Sequence, residues 1–382
     1  MHKKKTRSER FITAVLMVIL FQITLPSYAQ DYVTSAEQAI AIDFDTGAVL
    51  FEKDADKQIP TASMSKVLSI YLVFEALKAG RLKLDNELLV SEKAWKMKGS
   101  KMWVPINEKV KVEDLIRGVV IQSGNDATIV LAEGLAGSEE AFATALNKKA
   151  KELGMNYSHF TNASGWPDPE HYSTPRDLAL MAGSLIRDFP EYYHYYSEKE
   201  FTYHDIKQGN RNPLLYRNIG ADGVKTGHTE EAGYGLIASG VQDERRVVAV
   251  LTGMKSMQER ADESANLLQW ALSTFKNVKI FSEQKEIERV PVVWGTVDTV
   301  GLRVAQTLVV SMPKMESGNF SVEISYKTPL IAPLEEGQNI GTATVRIAGR
   351  EDLSVPLLTV SSVPKADFMS LMLQKLRMMI SG

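Results

Sequence analysis

The stretch that organises this chain reads PTASMSKVLSIYLVFEALKAG, from residue 60 to residue 80. From Ser63 to Ala79 its apolar residues recur at spacings of three and four, which predicts an amphipathic helix that Gly80 ends. Ser63 and Lys66 lie one turn apart on the same face, so their side chains can touch. A lysine held among apolar residues favours the neutral amine, which can take a proton from a hydroxyl. The stretch therefore predicts an activated serine nucleophile.

Strand signals lie on both sides of a helical middle section. Residues 39–44 and 48–52 flank an Asp-Thr-Gly turn, and residues 234–239 and 246–251 form a second pair. Between these pairs, residues 112–153 have mostly helical periodicity, and another helix follows the second pair. Strands at both ends of a helical insert predict one antiparallel sheet, built from the two ends of an α+β domain.

The last part of the chain changes to short runs of β-branched residues with turn residues between them. These runs lie at residues 290–294, 307–311, 320–326, 342–347 and 353–358. Their spacing predicts a second, small all-β sandwich domain, with a boundary near residues 277–285. We therefore divide the chain into a first domain at residues 30–280, a β domain at 281–363 and a terminal segment at 364–382.

A predicted helix at residues 368–380 ends the chain. Its apolar residues share one arc, whereas Ser370, Gln374 and Arg377 lie opposite. We expect residues 365–382 to lie in a membrane interface, because this helix is amphipathic, carries a basic excess and is too interrupted by polar residues to span a bilayer. The alternative is a terminal helix that docks on the β domain.

The first 29 residues have the three parts of a secretory signal peptide. A basic start is followed by an apolar run from Phe11 to Leu25, and Ser27-Tyr28-Ala29 places small residues at the cleavage positions. We predict cleavage after Ala29, with an uncleaved N-terminal anchor as the alternative, and export of the body in either case. Loss of five basic residues and one acidic residue changes the net charge from −3 to −7.

The composition is that of a globular protein, with 44% hydrophobic and 24% charged residues in a chain of 382. No basic domain is present to follow a phosphate backbone, so nucleic acid is not an expected partner. The chain has no cysteine, which excludes thiol catalysis, disulfides and cysteine-bound metals. The histidines show no paired helical spacing, so neither a metal site nor a cofactor is expected.

Two short motifs follow the Ser63-Met64-Ser65-Lys66 motif in order, namely Ser123-Gly124-Asn125 and Lys225-Thr226-Gly227. Ser-x-x-Lys and Ser-x-Asn also occur elsewhere in the chain, whereas Lys-Thr-Gly occurs once. Only the first motif both opens a helix and precedes the other two in this order. The ordered set is typical of penicillin-binding proteins and class A β-lactamases.

With their flanks, these motifs resemble those of the D-alanyl-D-alanine carboxypeptidases among the low-molecular-mass penicillin-binding proteins. The resemblance rests on residues 60–66, 123–127 and 222–229, and on the order of signal peptide, catalytic domain, β domain and terminal helix. It implies a penicillin-binding, β-lactamase-like α/β (α+β) catalytic domain with helices on both faces of its antiparallel sheet. It also implies removal of the terminal D-alanine from peptidoglycan stem pentapeptides, and covalent binding of β-lactam antibiotics.

The resemblance implies a catalytic role for residues of all three motifs. Ser63 would attack the carbonyl between the two terminal D-alanines, with Lys66 as general base. Ser123 would relay a proton toward the leaving amine, and Asn125 would bond the substrate amide. Lys225 would supply positive charge near Ser123.

The resemblance also implies a set of substrate-binding residues. Thr226-Gly227 would bind the terminal carboxylate, and the amides of Ser63 and His228 would form an oxyanion hole. Arg211 matches a family arginine that supports carboxylate recognition, and Arg260 is a second candidate.

Three features near the motifs have no assigned catalytic role. Residues 97–105 lie between the nucleophile helix and the second motif, and form either a mobile lid or a solvated loop. His171 is expected to be structural. Glu170 has a position comparable to the deacylation glutamate of class A β-lactamases, without the sequence context of that glutamate.

Several alternatives share this pattern. A β-lactamase would use the same acylation, and a DD-endopeptidase would cut the same type of bond in crosslinks. A non-catalytic cell-wall morphology or scaffold protein would be expected to lose a motif residue, yet all three motifs are intact. The expected location is the periplasmic face of the cytoplasmic membrane. The pattern sets neither the oligomeric state nor the role of the β domain, as spacer or as platform for a partner.

Overall fold

The computed structural model describes residues 32–348 and 350–381. The predicted signal peptide, its cleavage site and the alternative N-terminal anchor lie outside these residues. Within the described part, no helix is both long and apolar enough to cross a membrane.

The first region of the structure contains both strands and helices. Its strands are β1 (Gln38–Asp43), β2 (Val49–Lys53), β3 (Ile59–Pro60), β4 (Glu87–Leu89), β5 (Lys109–Lys111), β6 (Tyr172–Ser173), β7 (Glu200–Tyr203), β8 (Ile206–Gly209), β9 (Ala221–Thr229), β10 (Gly233–Gln242) and β11 (Arg245–Met254). Its α-helices are α1 (Lys66–Lys78), α2 (Glu92–Lys96), α3 (Val112–Val120), α4 (Asn125–Ala136), α5 (Glu139–Glu152), α6 (Pro175–Asp188) and α7 (Met257–Thr274). Short 3₁₀ turns lie at Ala62–Ser65, Tyr193–Ser197 and Pro213–Tyr216.

A five-stranded antiparallel sheet forms the centre of this region, in the order β2-β1-β11-β10-β9. Ala41 of β1 lies opposite Ala249 of β11, so strands from the two ends of the region are neighbours. The predicted hairpin, the second strand pair and the sheet that joins them are confirmed.

Alternate residues of the sheet enter two separate hydrophobic cores. Ile40, Ile237 and Val250 belong to the core that contains α1, α3, α4 and α6. Leu236 and Leu251 belong to the core under α7. Because successive residues of a strand point to opposite faces, helices cover both faces of the sheet, as expected.

The nucleophile helix begins later than the sequence predicts, and it is not amphipathic. Ala62–Ser65 form the 3₁₀ turn, in which Ala62 has a φ of 47°, and α1 begins at Lys66. A 3₁₀ turn is common at a helix start, and apolar spacing does not separate it from a first α-helical turn. Every residue of α1 except Glu75 and Lys78 is buried, so this helix runs through the core.

The predicted helical section at residues 112–153 consists of α3, α4 and α5. The second motif leads directly into α4, which ends at Gly137 with a left-handed φ of 81°. The hydroxyl of Ser138 then caps α5 by accepting a hydrogen bond from the amide of Ala141. The residues of α4 from Asn125 to Ala132 are buried, so the second motif is held against the core by the helix that it begins.

The second region is built from strands and ends in one helix. Its elements are β12 (Phe275–Phe281), β13 (Glu288–Val293), β14 (Thr299–Val304), β15 (Leu308–Pro313), β16 (Phe320–Tyr326), β17 (Leu330–Ile331), β18 (Asn339–Ile347), β19 (Leu353–Thr359) and α8 (Phe368–Ser381), with a 3₁₀ turn at Lys314–Glu316. A six-stranded sheet has the order β16-β18-β19-β14-β13-β17, and β12 pairs with β15. The expected all-β character of this region is confirmed.

Three strands of this region were not expected from the sequence, namely β12, β14 and the two-residue β17. β12 occupies part of the predicted boundary, because it follows α7 without an intervening turn residue. β14 carries Gly301 in its interior, and glycine weakens a strand signal. The division between residues 280 and 281 stays a prediction and falls at the end of β12.

A buried ion pair lies where the two regions meet. Arg245 Nε donates to Asp43 Oδ2 at 2.6 Å, and both side chains are buried. Asp43 Oδ1 accepts from the Thr46 amide at 2.9 Å and from Asn277 Nδ2 at 3.1 Å. The Ser311 hydroxyl donates to Asn277 Oδ1 at 2.7 Å. This junction network ties the central sheet to the β12–β15 pair.

The terminal helix α8 docks through its polar face. Gln374 Oε1 accepts from the Trp294 amide at 2.9 Å, and Gln374 Nε2 donates to the Gly295 carbonyl at 3.0 Å. The exposed apolar side chains of α8 are those of Phe368, Met369, Met372, Leu373, Leu376 and Met379. The predicted helix is confirmed, and its docking leaves the apolar arc uncovered.

Candidate active site

The serine and the lysine of the first motif are in contact. Lys66 Nζ lies 2.8 Å from Ser63 Oγ, and it donates a second hydrogen bond to the Ser164 carbonyl at 2.6 Å. Lys66 is fully buried, and Ser63 is half-buried. The 3₁₀ turn has three residues per turn, so side chains three positions apart fall on the same side. The structure therefore brings together the predicted nucleophile and the predicted base.

The environment of Lys66 favours its neutral form. Burial lowers the pKa of Lys66 to about 7, and the positive charge of Arg211 acts in the same direction, against the opposing effect of Asp126. A substantial fraction of the amine is therefore neutral near pH 7. A neutral amine at this distance from a hydroxyl is placed to accept its proton.

The second motif forms the opposite wall at the start of α4. Ser123 is buried and has a left-handed φ of 65°, a strained conformation that is often found at functional sites. Asn125 Nδ2 donates to the Lys98 carbonyl at 2.8 Å. Among the described residues, no hydrogen bond joins the Ser123 hydroxyl to Lys66 or Lys225. The expected proton relay through Ser123 is therefore not closed by direct hydrogen bonds.

Asp126, which follows the second motif, holds the loop at residues 97–105. Its carboxylate is fully buried and accepts hydrogen bonds from the amides of Met102 and Trp103 at 2.9 Å and of Val104 at 3.3 Å. The amide of Asn125 donates to the Ser100 carbonyl in the same loop, at 2.7 Å. The loop is therefore anchored to the second motif along its length.

The third motif lies on β9, an edge strand of the central sheet. This strand packs against the 3₁₀ turn at Ala62–Ser65, which we call the nucleophile turn. A Cβ at Gly227 would lie 3.0 Å from both Met64 Cγ and the Thr61 carbonyl, so glycine permits this close approach. Lys225 and Thr226 are buried beside it, and Lys225 Nζ donates to the Thr226 carbonyl at 3.1 Å. The three motifs therefore converge on one cleft.

The cleft holds several cations close together. The pKa of Lys225 is well below its ordinary value because of burial first, and then because of the positive charges of Lys66, Arg211 and Arg260. In the described part of the chain, none of these four side chains has a carboxylate at ion-pair distance. Three of them, Lys66, Lys225 and Arg260, are buried, whereas Arg211 is exposed. Unpaired buried cations favour an anionic ligand, which would supply the missing counter-charge.

The arginines predicted from the resemblance both lie at this cleft. Arg211 Nη1 donates to the Ser100 hydroxyl at 2.5 Å. Arg260 is buried, its Nε has no hydrogen-bond partner among the described residues, and its guanidinium lies 5.5 Å from the Tyr234 ring centre. The exposed His228 ring stacks on the same Tyr234 ring, with 3.9 Å between the two ring centres.

Glu170 gives no support to a β-lactamase site. Its side chain is exposed, and among the described residues it makes no hydrogen bond to Ser63 or Lys66. No group of three or more metal-ligating side chains lies together in the described part of the structure.

Some functional neighbours carry no sequence signal. Asp126 accepts hydrogen bonds from backbone amides, and Ser164 contributes its backbone carbonyl. Because every residue has a carbonyl and nearly every residue an amide, no residue type marks these contacts. Their positions follow only from the packing of the loop and of the segment that contains Ser164. The one available signal is the position of Asp126 directly after the second motif.

Comparisons with known proteins identify the family of this chain. The D-alanyl-D-alanine carboxypeptidase family of serine peptidases matches residues 26–256, and the C-terminal domain of penicillin-binding protein 5 matches residues 275–365. The D-alanyl-D-alanine carboxypeptidase DacA of Haemophilus influenzae is 35% identical over 374 residues, which cover 95% of each chain.

Solved structures give the same result. Penicillin-binding protein 5 from Haemophilus influenzae has a TM-score of 0.79 and 35% identity, and the match covers 88% of this chain and 99% of the other. Penicillin-binding protein D2 from Listeria monocytogenes, in its ampicillin-bound form, has a TM-score of 0.58 and 30% identity over 63% of this chain and 98% of the other.

Proposed function

The chain belongs to the D-alanyl-D-alanine carboxypeptidase family and is a serine-type peptidase, and from this premise we propose that its acyl-enzyme forms on Ser63. One observation carries the proposal, namely the 2.8 Å contact between the Ser63 hydroxyl and a fully buried Lys66 amine. Burial lowers the pKa of this amine to about 7, so a base stands beside the nucleophile at neutral pH.

Acylation uses both walls of the cleft. Ser63 Oγ attacks the carbonyl between the two terminal D-alanines of a stem pentapeptide, and Lys66 accepts the hydroxyl proton. The carbon–nitrogen bond then breaks, and the departing D-alanine nitrogen takes a proton from the Ser123 hydroxyl, which Lys225 reprotonates. This step needs Lys225 Nζ to turn from the Thr226 carbonyl toward Ser123, because in the described part of the structure no hydrogen bond joins the two side chains. Asn125 holds the substrate amide. Water then attacks the ester on Ser63. The proton held by Lys66 restores the Ser63 hydroxyl, the proton that the water gives up returns to Lys225, and the shortened peptide leaves with a new carboxyl group.

The cations and backbone amides of the cleft bind and polarise the substrate. Thr226-Gly227, Arg211 and Arg260 receive the terminal carboxylate, which supplies the counter-charge that the cleft lacks. The amides of Ser63 and His228 stabilise the negative charge that develops on the attacked carbonyl oxygen. A β-lactam offers the same carboxylate and a strained amide, so it acylates Ser63 in the same way.

The test combines two substrates with one variant. Purified protein is incubated with a fluorescent penicillin and with diacetyl-Lys-D-Ala-D-Ala, and covalent label and released D-alanine are recorded. We expect Ser63→Ala to abolish both signals. Ser273→Ala is the matched control, because Ser273 is exposed and also begins a Ser-x-x-Lys sequence, yet lies outside the cleft.

Each departure from this result has a definite meaning. Label without D-alanine release points to an endopeptidase that needs crosslinked substrate, or to a scaffold protein that no longer turns over. Label that survives Ser63→Ala contradicts the assignment of the nucleophile.

We also propose that the protein is exported and is held at the periplasmic face of the cytoplasmic membrane by α8. Peptidoglycan lies outside that membrane, so an enzyme that trims it must be exported. α8 supports the membrane contact because its polar face is bonded to the β domain through Gln374, which leaves its apolar arc exposed. We propose a catalytic domain at residues 30–280 and a β domain at 281–363. The two family matches, at residues 26–256 and 275–365, support two successive domains, although the second match already begins at the start of β12.

Vesicle co-sedimentation tests this contact. We expect the protein to bind vesicles of phosphatidylethanolamine and phosphatidylglycerol, and Leu376→Glu to reduce the bound fraction severalfold, because a charge in the apolar arc opposes insertion. Leu180→Glu, at a similarly apolar and exposed position on α6, is the control and should bind normally. Equal binding by both variants would argue against α8 as the anchor.

A further inference from the structure

The segment at residues 158–174 forms the back wall of the nucleophile turn. Its strand β6 pairs with β3, just before that turn. Its carbonyls at Ser164 and Ala163 accept hydrogen bonds, both at 2.6 Å, from Lys66 Nζ and from the Ser69 hydroxyl. The segment therefore holds the nucleophile turn and the first turns of α1 from behind.

His171 adds a side-chain contact that faces the same turn. The imidazole is buried, and its Nε2 lies 2.7 Å from Ser65 Oγ. In the sequence, Ser65 lies between the nucleophile Ser63 and the base Lys66. Its Nδ1 accepts a hydrogen bond from the Thr161 amide at 3.2 Å. Since Nδ1 accepts, the neutral ring carries its proton on Nε2 and donates to Ser65.

The charge state of His171 is fixed by its surroundings. Burial lowers the pKa of His171 to about 4, and His159 and Lys66 act in the same direction, whereas Asp168 opposes them. The ring is therefore neutral near pH 7, and the direction of its hydrogen bond to Ser65 is constant. In this contact His171 Nε2 is therefore always the donor, and Ser65 Oγ is the acceptor.

Ser65 passes this contact to the strained part of the turn. Its hydroxyl also lies 2.5 Å from the Thr61 hydroxyl and 3.2 Å from the Ala62 carbonyl. Ala62 has a φ of 47°, in the left-handed region, which alanine disfavours because its Cβ approaches the following carbonyl oxygen. Behind it, a Cβ at Gly165 would lie only 1.8 Å from the Ala62 carbonyl oxygen. The turn is therefore held in an unfavourable conformation by contacts on both sides.

We infer that His171 is a positioning residue for catalysis, which acts through Ser65 to hold the turn that aligns Ser63 with Lys66. The inference rests on the proposed role of Ser63 and extends it to a side chain that does not touch the substrate. Loss of the His171 contact removes one support of the strained turn, so that Ser63 and Lys66 lose alignment and water reaches the amine. A misplacement of about 1 Å in a reacting group can reduce a rate by about a hundredfold.

The test measures acylation by a fluorescent penicillin across pH in four single variants and in double variants that combine Ser65→Ala with a substitution of His171. We expect His171→Leu to slow acylation by at least about tenfold. His171→Gln should recover much of the rate, because its amide can donate near the Nε2 position, whereas the shorter His171→Asn should not. Ser65→Ala should slow acylation as well, and His171→Leu should have little further effect in the Ser65→Ala background.

The pH profile separates positioning from a loss of folded protein. In the wild type, acylation should fall below about pH 7, as Lys66 takes up a proton. The groups that act on Lys66 are Arg211, Asp126, the neutral His171 ring and Lys225. Without His171, better hydration raises the pKa of Lys66, so the acidic limb should move to higher pH. A purely structural role would lower the rate by one factor at every pH.

The outcomes are distinct from those of the proposed function. If wild-type protein is not labelled, or if Ser63→Ala is labelled, the role of Ser63 fails. If the wild type is labelled and His171→Leu reacts at the same rate with the same pH profile, only the role of His171 fails. Should His171→Leu not fold, equal rates for the Gln and Asn variants, or full additivity of Ser65→Ala with His171→Asn, would overturn the inference.

Discussion

The catalytic cleft and the junction between the two regions treat buried charge in opposite ways. At the junction, Arg245 donates to the fully buried carboxylate of Asp43 at 2.6 Å. In the cleft, Lys66, Lys225 and Arg260 are buried, and no described carboxylate pairs with them. The charge of Arg245 is balanced by a carboxylate within the protein, although its second terminal nitrogen has no hydrogen-bond partner among the described residues, whereas the cleft lacks a counter-charge.

This difference separates stability from function. A paired buried charge is costly to break, because the remaining partner stays buried without compensation. An unpaired buried cation already carries a desolvation penalty, which lowers its pKa and leaves it ready to bind an anion or to act as a base. Substitutions in the two regions should therefore affect different properties of the protein.

The largest expected effect is on catalysis in the cleft. We expect Lys66→Met to reduce the rate constant for acylation by penicillin by about 10³-fold or more, in line with the loss of a general base. Lys66→Arg keeps the charge but cannot deprotonate, so it should be equally slow. Stopped-flow labelling measures both. Lys285→Met, at an exposed lysine of another Ser-x-x-Lys sequence, is the control. A rate for Lys66→Arg within tenfold of the wild type would contradict the role of Lys66.

The second effect is on stability at the junction. Asp43→Asn leaves Arg245 buried without a counter-charge and should lower the free energy of unfolding by about 3–5 kcal/mol. Urea denaturation measures this change. The double variant Asp43→Asn with Arg245→Met should be more stable than Asp43→Asn alone, because it removes the uncompensated cation. Penicillin labelling per folded molecule should be unchanged. If Asp43→Asn lowers the free energy of unfolding by less than about 1 kcal/mol, the junction does not differ from the cleft in the way described.

The third effect is a pH dependence of stability that arises in the cleft. Lys66 has a pKa of about 7 in the folded protein against 10.5 ordinarily. Between these values the unfolded chain binds more protons, so stability should rise with pH, by up to about 1.4 kcal/mol per pH unit from this group. Lys66→Met should remove this contribution.

Urea denaturation of the wild type and Lys66→Met between pH 7 and pH 10 provides the measurement. Methionine cannot take up a proton, so the advantage in stability of Lys66→Met should shrink as pH rises. Parallel pH profiles for the two proteins would show that burial does not penalise the charged amine in the folded state.

The sequence predicts the parts of the fold that depend on side-chain pattern. The strands at both ends of the first region, the helices α1, α3, α4, α5 and α7, and the terminal helix α8 follow from periodicity, whereas α2 and α6 were not predicted. The order of the three motifs indicates the cleft. β12 and β14 escape prediction because one follows α7 without a turn signal and the other contains Gly301.

Side-chain pattern predicts less of the site, because part of its geometry is made by the backbone. Asp126 binds the amides of three loop residues, and Lys66 binds a carbonyl of a distant segment. Neither contact has a residue-type signature. The 3₁₀ turn and the left-handed Ala62 are equally hidden, since alanine is an unusual residue for that conformation. His171 illustrates the same limit, because only the fold reveals that it faces Ser65.

The glycine at position 165 has an evolutionary consequence. Any substitution there adds at least a Cβ, which would overlap the Ala62 carbonyl at 1.8 Å, and the φ of 75° disfavours every other residue type. Sequence drift at this codon is therefore closed as long as selection keeps the nucleophile turn in place. Among descendants of this gene, we expect loss of Gly165 to mark lineages in which the enzyme has lost its activity, even where all three motifs are still present.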